Sequence, residues 1–324
     1  MIAGVFRSNQ LLFSYGLSVV LALVIVLFQA FTGTTPQALA EGEHLLMQSI
    51  RSLPQPVLLV IHTLLLGGGA ILFNQLLVNE KISRDYNSLF LLGYIMAASS
   101  YSGWRYLSGA AISGFLLLVV MRNLMIAGNS KRQLSLVFDA GFLGGLAYLL
   151  YEPAWVILPM SFLGIVLGGF FRFKALMIWL FGYITPVYLF ASVAYLSDQQ
   201  AWLLDLVPHF NREAWYVLQL NWTDKVLLAF SLAVWLMGVL VSFTGVNLKT
   251  NALRNAQRLF FIFLLCVVPA LWFLPADGWM MAALFVPVSA FYMGRFLESV
   301  PGRGLFNLLI VVWLALLALP FLPI

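Results

Sequence analysis

Glu41 and Glu43 stand one residue apart in a short polar stretch between two long apolar segments, with Arg51 following. A carboxylate facing a cavity outside the membrane can act as a general base, and guanidinium groups such as Arg51, Arg105 and Arg212 can hold a lipid-linked phosphate through paired hydrogen bonds. Solvated loop charges are the competing expectation for the same residues. Asp139 is a different case: it is the acidic residue set clearly inside an apolar segment, ~10 Å beyond Arg132 along a helix. A carboxylate at that depth is costly and faces a partner or water. A proton or cation site, a packing hydrogen bond, and an ion pair with Arg122 or Arg132 all meet that demand. His62 lies toward the outer end of the second apolar segment, where an imidazole can titrate, bind a ligand, or simply pack with a hydrogen bond. No second His, Asp or Cys stands at ligand spacing beside it, so no metal site is expected. Cys266 is the single cysteine and lies in an apolar run, which reads as a small buried hydrophobe. No cofactor is expected.

The elements that must carry these residues follow from composition. Hydrophobic residues make up 62% of the chain and charged residues 9%, against about 25% charged in an ordinary soluble domain. Apolar stretches recur at about the 20 residues a helix needs to cross the hydrocarbon layer. The alternating ten-residue segments of a transmembrane barrel are absent. The expected fold is therefore all-α, a polytopic transmembrane bundle of ten or eleven spans forming one integral membrane domain over residues 1–324. Spans are placed at Leu11–Phe31, Pro56–Val78, Ser88–Tyr101, Tyr106–Ala127, Leu134–Tyr151, Ala154–Phe171, Ala175–Leu196, Val226–Val246, Leu259–Leu274, Trp279–Met293 and Leu305–Leu322. Ser88–Tyr101 is short enough to be a re-entrant or broken helix.

Charge gives orientation. With the N-terminus in the cytoplasm, thirteen of the seventeen Lys and Arg residues fall on the cytoplasmic side, in connections or near span ends, and only Arg51, Arg105, Arg212 and Lys225 fall outside. The basic residues are scattered over short loops, so nucleic acid is not an expected partner. Lys249, Arg254 and Arg258 are placed to meet anionic headgroups. Ala38-Leu39-Ala40 looks like a signal-peptidase site, but the apolar run before it is too long, and it is read as a retained helix. Two outer segments, 32–55 and 197–225, are long enough for structure of their own. The first has an amphipathic run from Gln37 to Leu53; the second carries Trp202, Trp215 and Trp222, which suit the headgroup level. Small residues four apart, Gly141 with Gly145, Ala140 with Gly144, and Gly164 with Gly168, predict close helix packing. Joined only through Glu152-Pro153, Leu134–Tyr151 and Ala154–Phe171 are expected to form a tight antiparallel hairpin.

Several stretches carry a resemblance: Met1-Ile2 through Phe6, Phe138-Asp139-Ala140-Gly141 leading to Leu149-Leu150-Tyr151-Glu152-Pro153, Phe171-Arg172-Phe173-Lys174, Gly182-Tyr183-Ile184-Thr185-Pro186, and Val286-Pro287-Val288. In these the chain resembles a family of inner-membrane proteins of Bacteroidota described as a domain of unknown function, which implies a bacterial inner-membrane, multi-pass location and no transferable catalytic residue. Through Gly144-Gly145-Leu146-Ala147-Tyr148-Leu149 before an outer turn it is also distantly similar to the C-type integral-membrane glycosyltransferases. That similarity implies a polyprenyl-phosphate-linked sugar as substrate and places Glu41 or Glu43 where those enzymes carry an acid. It departs from them in its short first outer loop, which has no Asp-Asp or Glu-Asp pair.

Three functions are consistent with these residues. One is a protein of cell-envelope biogenesis that handles a lipid-linked glycan, as a glycosyltransferase or polymerase. Another is a non-catalytic subunit or scaffold contacting other membrane proteins. The third is a proton-coupled transporter using Asp139. Membrane lipids are partners under all three.

Overall fold

The computed structural model describes residues 11–31, 45–80, 82, 88–101, 104, 106–128, 130–169, 171–198, 222–244, 251–273, 282–300 and 302–318. Among these residues there is no strand. The helices are α1 (Leu11–Phe31), α2 (Leu45–Arg51), α3 (Gln55–Asn79), α4 (Leu89–Ser100), α5 (Gly109–Ala127), α6 (Gln133–Leu150), α7 (Ile157–Leu167), α8 (Phe173–Leu196), α9 (Trp222–Thr244), α10 (Asn251–Phe273), α11 (Val286–Ser299) and α12 (Arg303–Ala318). Short 3₁₀ turns at Glu152–Val156 and Ala282–Phe285 lead into α7 and α11. Five of the helices, α3, α5, α6, α8 and α9, are long and apolar enough to cross a bilayer. The chain is an all-α, polytopic bundle.

Local chemistry sets the helix ends. Pro54 and Pro56 open α3, where no backbone donor is needed. Ser108 caps α5 by accepting from the Ala111 N–H at 3.0 Å. Two of the ends that differ from the hydropathy boundaries show a cause. α10 begins at Asn251 rather than Leu259, because its first turns, with exposed Arg254, Asn255 and Arg258, belong to the polar end of the bundle. α11 continues past Met293 to Ser299, because the buried Arg295 guanidinium is ion-paired with Glu298 one turn on.

α4 and α11 form the centre. Every residue of α4 is buried, as is nearly all of α11, and the two pack along each other with α3 and α9 outside them. At ~1.5 Å per residue, α4 is ~18 Å long, too short to cross ~30 Å of hydrocarbon. Apolar all round, it is a core helix. Phe260 stacks on Phe291 at 4.2 Å between ring centroids, with Phe90 and Phe73 continuing the aromatic layer.

Lipid is as apolar as leucine, so helices associate through close packing rather than through exclusion of water. The expected contact between Leu134–Tyr151 and Ala154–Phe171 is present, but it is not the main contact of α6. α6 packs along α8 and α5 and touches α7 far less. After the 3₁₀ turn at Glu152–Val156 the short α7 lies against α6, α5 and α10 alike. Gly141 and Gly145 meet the Trp179 and Tyr183 carbonyls of α8, and Gly182 meets the Phe138 carbonyl of α6. The small-residue spacing is used, with a partner two segments on.

Candidate functional site

Of the outer constellation, Glu41, Glu43, Arg105 and Arg212 lie outside the described residues. Arg51, the last residue of α2, is half-buried, with its guanidinium 5.8 Å from the centre of the Tyr106 ring. That is cation–π distance. Together with the contact of α2 on α6, it gives Arg51 a packing role that its sequence neighbourhood did not reveal.

His62 is 2% exposed on the buried side of α3, beside the Trp104 main chain, and its Nε2 has no hydrogen-bond partner among the described residues. It belongs to a buried polar layer. The Ser231 hydroxyl donates to Ser100 Oγ at 2.6 Å, Tyr101 OH and Ser289 Oγ are 2.8 Å apart, and Trp104 Nε1 donates to the Ala283 carbonyl at 3.2 Å. These bonds tie α4 to α9 and α11. A Ser100→Ala/Ser231→Ala double-mutant cycle in mixed micelles is expected to give a coupling of about 0.6 kcal/mol, the usual worth of an interhelical polar contact. Additive single effects would show that the bond contributes nothing. Asn74 and Tyr94, also fully buried, present polar atoms without partners among the described residues. Sequence reasoning places Asn74 on one packing face of its span with Thr63, Gly67 and Ala70, and passes over Tyr94, because one tyrosine barely alters the hydropathy of a span.

Among the described residues, four cations gather at the other end of the bundle. A cavity of about 370 Å³ is lined by Ser130, Lys131, Arg132, Gln133, Ser135, Arg172 and Lys174, among others. Two places supply the four cations: the α5–α6 loop gives Lys131 and Arg132, and the start of α8 gives Arg172 just before it and Lys174 in its first turn. Arg132 and Arg172 are the residues immediately before α6 and α8. The unpaired N–H groups and dipoles of those first turns add partial positive charge. All four cations are exposed, so an anion entering the cavity meets them without prior rupture of a buried contact.

A second hollow of about 150 Å³ at the same end is lined by Glu80, Gly128, Gly168, Asn255 and Arg258, with apolar neighbours. Burial raises the pKa of Glu80 there. Together the two hollows gather the ends of α3, α5 and α7 with the beginnings of α6, α8 and α10, which is the alternation that the charge count requires.

Asp139 is not part of either hollow. It is exposed on the outward side of α6 and makes no ion pair with Arg122 or Arg132. The opposite sides of that helix, including Ala140, Gly141, Gly144 and Gly145, are buried.

A model of a family of unknown function (DUF6427) matches residues 45–321. No curated protein and no solved structure matches the chain.

Proposed function

Since the chain belongs to DUF6427, a family of unknown function, its activity must be argued from its own residues, and we propose that it is a bacterial inner-membrane protein of cell-envelope biogenesis that holds the phosphate of a lipid-linked glycan. The observation that carries this reading is the cavity with Lys131, Arg132, Arg172 and Lys174 on its walls. A phosphate or diphosphate head group suits such a site, because arginine forks and ammonium groups give charge-assisted hydrogen bonds that neutral head groups lack. The lipid chain has a surface to follow, since Phe181, Ile184 and Tyr188 of the adjoining α8 are 65%, 47% and 68% exposed. Basic pockets between helices at the cytoplasmic side are a recurrent means of gripping anionic head groups.

This reading moves the phosphate site from the outer segment to the basic end. It takes no chemical step from Glu41 or Glu43, which precede the opposite end of α3.

The test is titration of farnesyl diphosphate into detergent-solubilised protein, with inorganic diphosphate and farnesol in parallel. Wild type should bind farnesyl diphosphate, and each of Arg172→Gln and Lys131→Gln should weaken binding about fivefold, the equivalent of about 1 kcal/mol per cation. Equal binding by wild type and a variant lacking all four cations would overturn the proposal. Stronger binding of inorganic diphosphate than of the farnesyl ester would reassign the cavity to a free anion.

A second reading, a non-catalytic membrane subunit, is favoured by Asp139, whose place on the perimeter suits an intermembrane-helix contact better than a path through the interior.

A further inference from the structure

Arg122 and Asp139 support an inference that does not depend on the cavity. α5 and α6 are packed neighbours running in opposite directions. Arg122 precedes Ala127, the last residue of α5, by five positions, and Asp139 follows Gln133, the first residue of α6, by six. At ~1.5 Å per residue the two charges lie at ~7.5 Å and ~9 Å from the same end of the bundle, which is nearly the same depth. Both are exposed, and neither makes an ion pair among the described residues. The outward surface around them is apolar, with Val119 and Ile126 on α5 and Leu143 and Leu146 on α6 each partly exposed. Hydrocarbon is a poor environment for a bare carboxylate or guanidinium, and such groups in spans normally find partners.

We propose that the α5–α6 face is a two-fold interface between two copies of this chain, in which Asp139 of each copy meets Arg122 of the other. Copies inserted in one orientation are related by an axis along the membrane normal, and rotation about that axis preserves depth. An ion pair between such copies therefore requires two opposite charges at the same height, and a two-fold axis then forms it twice. A lone anion would need a different protein carrying a cation. α5 and α6 each expose one of the two charges, so a second copy satisfies each of them.

The experiment is native mass spectrometry of the full chain released from lipid nanodiscs, with energy transfer between donor- and acceptor-labelled copies in liposomes as the second measurement. Wild type should be dimeric in both. Asp139→Asn and Arg122→Gln should each weaken dimerisation about tenfold, since one substitution removes two symmetry-related pairs. Asp139→Arg and Arg122→Asp should be monomeric, and the doubly swapped Arg122→Asp/Asp139→Arg chain should recover the dimer. A wild-type monomer in both measurements would overturn the proposal, as would a stoichiometric complex with a different protein. A doubly swapped chain that melts like wild type yet stays monomeric would also overturn it. None of these substitutions lies in the cavity wall, so loss of the dimer and loss of diphosphate binding are separable.

Discussion

Gly145→Leu is expected to destabilise the protein by about 3 kcal/mol or more, at the upper end of what overpacking costs in a well-packed interior. A Cβ at Gly145 would fall on the Tyr183 carbonyl oxygen and lie 2.7 Å from Pro186 Cγ. The obstacle is the backbone of another helix, which cannot rotate aside as a flexible side chain can. Relief requires α6 and α8 to separate, and that separation would also loosen the contacts of Gly141 with Trp179 and of Gly182 with Phe138. Because close approach is the main attraction between helices in lipid, the loss spreads along the interface. Gly68→Leu is the control, since a Cβ there meets nothing within 4 Å. Unfolding in mixed micelles, followed by tryptophan fluorescence, should separate the two variants clearly. A Gly145→Leu chain within about 0.5 kcal/mol of wild type, the range of a neutral surface change, would mean that Gly145 does not meet the α8 backbone.

The second large effect is expected at Arg295 and Glu298. Their side chains are 6% and 11% exposed, and they form an ion pair across one turn of α11. Removing one member takes the ion-pair contact from a buried charge, which costs about 3 kcal/mol. Arg295→Met and Glu298→Met should therefore each lower stability by about that amount. The Arg295→Met/Glu298→Met chain should be much closer to wild type, because replacing both charges also removes the cost of burying them. The same unfolding measurement decides it: a double variant as damaged as the sum of the singles would show that the two residues act independently. This pair also explains the length of α11. A hydropathy boundary stops before Arg295, yet the helix carries the charge inward because Glu298 meets it.

A comparable pattern runs through the rest of the chain. The spans expected at Leu11–Phe31, Pro56–Val78, Leu134–Tyr151 and Ala175–Leu196 agree with α1, α3, α6 and α8 to within a few residues. A long apolar run is a local property, and a helix is the means by which such a run satisfies its own backbone in lipid. Ser88–Tyr101 was legible as too short to cross, but its burial on every side was not, since burial depends on α3, α9 and α11 surrounding it. The Gly141–Gly145 spacing was legible as a packing surface. Its partner was not, because Leu134–Tyr151 is apolar on most faces and no local signal says whether α7 or α8 will lie against the glycines.

The sequence by itself determined the class of the molecule, the position of several of its apolar segments, and the gathering of basic residues in alternate connections, because each depends on composition over one helix length. Only the tertiary structure decided that Lys131 and Arg132 share a cavity with Arg172 and Lys174, residues that lie some forty positions away in the chain. Only it decided that Asp139 stands on the perimeter at the depth of Arg122, where the sequence allowed an interior site. The physical reason is the same in each case. In a chain whose helices are apolar on nearly every face, the rotation and pairing of helices are set by where small residues let backbones meet, and that is a property of two surfaces rather than of one segment.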